Sequence, residues 1–139
     1  MGLEKISLMD AYMIETLKRK GVTDQELLEG TDVEAWNRLH DSFDFRNLLH
    51  LREKDPLGFQ RIVEEGYQVK FVTFNGLKNL LKLKFDKTEE VDYQTTDRGI
   101  KGLVLDEEER KQLTGLLSKN WIVHEEEAGD KVFLHIELV

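Results

Sequence analysis

Residues 121–127 and 131–139 are two β-forming runs separated by Ala128-Gly129-Asp130, and this joint constrains the fold more than any other stretch of the chain. A Gly-X pair fits a two-residue type II′ turn, whose twist matches that of paired strands. Such a turn sets Ala128 opposite Lys131, Val123 opposite Ile136 and Trp121 opposite Leu138. Side chains alternate between the two faces of a strand. One face therefore carries Trp121, Val123, Leu134, Ile136 and Leu138 at the base, with Glu125 and Glu127 near the tip. The base is expected to pack on the preceding helix, and the charged tip to lift away from the core.

That helix is expected over residues 106–119, with Asp106 as its N-cap and Glu109 completing a capping box. A helix followed by a tight hairpin resembles the last helix and wing of a winged-helix domain. The likeness covers only the last quarter of the chain. It implies nucleic-acid binding, and the charges oppose that. The chain has 20 Lys and Arg against 28 Asp and Glu, a formal net charge of −8. The residues that such a module would lead into a groove are Asp106, Glu107, Glu108 and Glu109, all acids facing phosphates. A structural cap or a protein-facing wing is the better expectation.

The first half is punctuated by helix starts. Ser7…Asp10, Thr23…Glu26 and Thr31…Glu34 each place an acid three residues after a hydroxyl. Met9, Met13 and Leu17 form the expected apolar set of the first helix. A fourth helix is expected over 43–54, and Asp55-Pro56 starts a fifth that ends at Gly66. After Gly66 the pattern changes. Alternation at 67–73 predicts a strand, Phe74-Asn75-Gly76 a turn, 77–85 a helix, 86–99 a loop and 100–105 a short strand. The expected class is α+β, mainly helical. Five or so short helices precede a strand-helix-strand-helix run and a C-terminal hairpin with a winged-helix-like layout. The expected organisation is one domain over 1–139, with a helical part at 1–66 and an αβ part at 67–139.

Chemistry-bearing motifs are scarce. There is no cysteine, which removes disulfides and thiolate-bound zinc and fits a reducing cytoplasm. No signal peptide or membrane span is expected, and no Gly-x-Ser-x-Gly elbow, phosphate-binding Gly-rich loop or His-Glu-x-x-His helix occurs. No catalytic residue or cofactor is expected. His124 and His135 fall opposite each other in the hairpin, with Glu126 diagonal, a weak candidate for metal. Lys70, Lys78, Lys82, Lys84 and Lys87 face a single acid between them, Asp86, and form a candidate cationic strip. Without an arginine the strip offers point charges and no bidentate base readout. Asp106, Glu107, Glu108, Glu125, Glu126 and Glu127 form a candidate acidic face.

The function expected from these features is a non-enzymatic regulatory or interaction domain that binds a protein partner, with self-association possible. The alternatives are a winged-helix-type nucleic-acid binder using the strip at 70–87, and an acidic mimic of DNA.

Overall fold

The computed structural model describes residues 3–39 and 43–139. The chain opens with β1 (Glu4–Ile6), followed by α1 (Leu8–Arg19), α2 (Asp24–Glu29), α3 (Val33–Leu39), α4 (Arg46–Lys54) and α5 (Pro56–Glu65). Next come β2 (Tyr67–Val69), α6 (Phe74–Phe85), β3 (Gln94–Thr95) and β4 (Gly99–Val104). The chain ends with α7 (Glu107–Leu116), β5 (Trp121–Ala128) and β6 (Lys131–Leu138). The class is α+β, mainly helical. No helix among the described residues is long and apolar enough to cross a membrane.

Four of the caps set helix starts as expected. The side chains of Ser7, Thr23 and Asp55 accept from the backbone N–H of Asp10, Glu26 and Gly58. At Asp106 the box is reciprocal, with Glu109 N–H on Asp106 Oδ1 at 2.7 Å and Asp106 N–H on Glu109 Oε1 at 3.1 Å. Two starts in the first half differ. α3 is capped one residue later than Thr31, by Asp32, whose Oδ1 accepts from Ala35 N–H at 3.0 Å, and α4 begins at Arg46 rather than 43, without a side-chain cap. α6 starts earlier than the pattern suggested. Thr73 is its N-cap and accepts from Gly76 N–H at 2.9 Å, so Phe74-Asn75-Gly76 is the first helical turn. A glycine at the third helical position cannot complete a box, which hid this start from a search for acids.

The strands also depart from expectation at three places. β1 was not anticipated; it lies inside the expected helical half and pairs in parallel with β2, Glu4 to Tyr67 and Ile6 to Val69. β2 stops at Val69, because the chain turns through residues 70–73 into α6, and Phe71 is left exposed. β3 arises inside the expected loop and pairs with β4. In α1 the buried apolar set is Ala11, Met13, Ile14 and Leu17, joined by buried Glu15 and Thr16, while Met9 points outward.

The hairpin has the expected register, with Ala128 on Lys131, His124 on His135 and Trp121 on Leu138. Gly129 has φ +68° and Asp130 is not among the residues with positive φ, the pattern of a type II′ turn. β4 joins the hairpin through β6, giving the sheet order β3-β4-β6-β5. Between Ile100 and Leu103 β4 carries one residue more than β6, a bulge in which Gly102 takes φ +76°.

The apolar core draws on both halves of the chain. Leu17, Phe59 and Ile62 join Leu77, Leu80 and Leu81 of α6, Ile100 and Leu103 of β4, Leu113 of α7 and Ile136 of β6. α1 packs along α6, and α7 lies against β2. The base of the hairpin is fastened chiefly to the lead-in of α6. The Trp121 indole N–H donates to Val72 O at 2.7 Å, and its ring meets Phe74 edge-on at 6.1 Å. Val72 N–H donates to Ser118 Oγ at 2.8 Å and Asn120 Nδ2 to Val72 O at 3.0 Å. The turn between α7 and β5 thus grips both backbone polar groups of Val72.

Candidate functional site

β5 is an edge strand of eight residues, and its backbone can be sorted by parity. Val139 N–H donates to Asn120 O at 2.9 Å, so that pair is hydrogen-bonded. Facing pairs in an antiparallel ladder alternate between bonded and non-bonded. Ile122, His124, Glu126 and Ala128 therefore turn their N–H and C=O toward β6. Val123, Glu125 and Glu127 turn theirs outward, where no strand lies beside them among the described residues. Trp121 shares the outward parity, but its N–H is taken by Ser118 O at 3.2 Å. A row of unpaired peptide groups on an exposed edge is a template for another strand.

The acids of the candidate face are distributed over this edge and the start of α7. Glu125 and Glu127 project from one face of the hairpin and Glu126 from the other, as the alternation requires. Glu125 Oε1 lies 3.8 Å from Arg110 Nε of α7. Glu126 pairs with His135, and among the described residues Glu127 has no ion-pair partner. On α7, Asp106 is engaged in the cap, Glu107 Oε1 lies 3.9 Å from Lys111 Nζ, and Glu108 lines a cavity beside α5. Among the described residues, Arg110 is the one side chain that links the two groups of acids by an ion pair.

His124 and His135 stand opposite each other on the outer face of the hairpin. Each finds a separate carboxylate: His135 Nε2 is 2.7 Å from Glu126 Oε2, and His124 Nε2 is 4.0 Å from Glu137 Oε2. The four groups form two diagonal cross-strand pairs rather than one convergent set. Among the described residues no three His, Cys, Asp or Glu side chains are grouped as ligands for a metal.

The lysines of the strip divide three ways. Lys78, Lys82 and Lys87 line one groove on the outer flank of α6. Lys70, past the end of β2, lines a different depression with Lys5 and Lys119. Lys84 turns inward. Its Nζ lies 3.1 Å from Glu15 Oε2 and 5.6 Å from the centroid of the Tyr67 ring. The Tyr67 hydroxyl donates to the same Glu15 oxygen. Burial first, and then the Glu15 charge, holds the Tyr67 phenol well above its ordinary pKa. A carboxylate with a buried hydroxyl and ammonium on it is compensated, so this cluster locks α1 to β2 and α6.

Glu15 and Tyr67 were not singled out from the sequence. The available signal was the spacing of Glu15 four residues after buried Ala11, which puts an acid on the inner face of α1. Scans against models of protein families, against curated proteins and against solved structures returned no match for this chain.

Proposed function

We propose that this chain is a non-catalytic domain that binds another protein by accepting one of its extended, basic segments as a fifth strand beside β5. The observation that carries the reading is the eight-residue free edge, with outward peptide groups at Val123, Glu125 and Glu127. Main-chain hydrogen bonds supply affinity in strand addition, and side chains at alternate positions supply selectivity. Glu125 and Glu127 offer carboxylates on one face of that edge and Glu126 on the other, so lysine or arginine at alternate positions of the incoming strand is complemented on whichever face it takes.

A second copy of the chain is a poorer occupant. Antiparallel self-pairing of β5 brings two sets of three glutamates onto one short ladder, and like charges across strands destabilise it. A regulatory role follows if the partner's segment has another use when free. Glu15 is engaged by Tyr67 and Lys84, and Asp106 and Glu109 by each other's backbone.

The test is a titration of the labelled protein with a synthetic peptide of alternating Lys and Val, about ten residues long to match a strand. Saturable shifts centred on β5, weakened by salt, are expected. Glu125→Pro removes only an outward N–H, which an edge strand tolerates, and should abolish binding while leaving the fold. Glu125→Lys should weaken it without touching the backbone. Equal binding to wild type and both variants would contradict the reading.

A further inference from the structure

The outer flank of α6 carries a feature that strand addition at β5 does not use. Lys78 and Lys82 stand one helical turn apart, and Asp86, in the left-handed region at φ 57°, ends α6 and reverses the chain. The reversal brings Lys87 back beside them, and the three lysines line one groove of ≈ 350 Å³ together with Asn75, Asn79, Thr88 and Glu89. The far wall is fixed. Thr88 N–H donates to Asp92 Oδ2 at 2.7 Å, and Asp92 N–H returns to Thr88 O at 2.8 Å. Buried Tyr93 forms part of the same lining.

The charges there are not cancelled. Lys78 Nζ lies 3.5 Å from Glu89 Oε2, but among the described residues neither Lys82 nor Lys87 has an ion-pair partner. Asp86 is taken by Arg19, whose Nη2 is 3.0 Å from its carboxylate. Three lysines against Glu89 and the wall carboxylate of Asp92 leave an excess of one positive charge around the depression, and Lys82 and Lys87 are the two cations there without an ion-pair partner among the described residues.

We propose that this groove binds a compact, multiply charged phosphate group: a free polyphosphate or the polyphosphate end of a nucleotide. The volume lies within the ~300–1,000 Å³ typical of small-ligand sites. Lysines act on phosphate as point charges, which suits an anion without fixed orientation. Scale separates this ligand from an extended nucleic acid. At physiological salt, charges beyond ~8 Å are largely screened. A small anion in the groove feels the three lysines, whereas a long polyanion also lies along a surface whose net charge is −8.

The experiment is a calorimetric titration of the full chain with inorganic triphosphate, a nucleoside triphosphate, sulfate and a single-stranded oligonucleotide, all at one ionic strength. Saturable triphosphate binding is expected, with sulfate at least ten-fold weaker. Lys82→Gln and Lys87→Gln should each weaken triphosphate five-fold or more, and Lys70→Gln should leave it unchanged. A nucleoside triphosphate that binds tighter than inorganic triphosphate assigns the groove to a nucleotide; equal affinity assigns it to the free anion. Sulfate matching triphosphate, indifference to Lys82→Gln and Lys87→Gln, or tighter binding of the oligonucleotide would each overturn the proposal.

Discussion

Replacing Lys84 by methionine isolates the interaction that locks α1 to α6. The methionine keeps most of the apolar stem and removes the charge. In the wild type Lys84 Nζ sits 3.1 Å from Glu15 Oε2, with side-chain exposures of 17% and 4%. At that distance the attraction is about 5 kcal/mol for an effective dielectric constant of about 20. Removing Lys84 also removes its own desolvation penalty, so the net loss is smaller. Breaking a buried pair from one side costs about 3–5 kcal/mol, because the remaining charge stays buried alone. The residual exposure of Lys84 places this pair at the low end, about 3 kcal/mol, or a fall in Tm of about 10 °C for a chain of this size. Urea unfolding followed by circular dichroism measures it. Adding Glu15→Gln to Lys84→Met retains an acceptor for the Tyr67 hydroxyl and removes the stranded charge, and should recover about 2 kcal/mol. A loss below about 1 kcal/mol for Lys84→Met, or a double variant no more stable than that single one, would refute the reasoning.

Three further perturbations test the packing and the backbone. Tyr67 and Tyr93 keep their protons in the fold beyond the ordinary phenol range; for Tyr93, burial, then Glu89 and Asp92, push the value up to about 12. Both pKa values are raised, so the stability linked to them is complete below about pH 10 and is lost as pH rises, the Tyr93 share being exhausted by about pH 12. Urea midpoints between about pH 9 and about pH 11 should show that decline, and Tyr93→Phe should make it shallower; an unchanged slope would speak against the assignment. Gly99 faces Glu137 across the β4–β6 ladder, and a Cβ there would overlap the Ile136 carbonyl oxygen. Gly99→Ala is expected to destabilise by on the order of 4 kcal/mol. At Gly21, with φ +96° and nothing within 4 Å of a built Cβ, alanine should cost only the ~1–2 kcal/mol of left-handed strain.

What could be read from the sequence was local. The Gly129-Asp130 turn fixed the register of β5 and β6 because turn type and alternation lie within one short stretch. The caps at Ser7, Thr23, Asp55 and Asp106 were legible for the same reason. What escaped was set by partners far along the chain. β1 is three residues long and exists because Tyr67–Val69 lies beside it. Lys84 looked like one more member of a cationic strip, because only the approach of Glu15 from α1 decides that it turns inward. Lys87 joins Lys78 and Lys82 through the reversal at Asp86, a left-handed residue that helical spacing does not anticipate. The acids of the hairpin were visible as a run, but the parity that makes β5 an acceptor comes from its place at the sheet edge.

Amide hydrogen exchange along β5, read residue by residue by NMR, tests the central claim most directly. In the free protein Ile122, His124 and Glu126 should be protected by β6, while Val123, Glu125 and Glu127 exchange freely. With the alternating Lys–Val peptide bound, the three outward amides should become protected and the inward three should stay as they were. Protection of Val123, Glu125 and Glu127 already in the free monomer, or no gain in protection at peptide saturation, would contradict strand addition at β5.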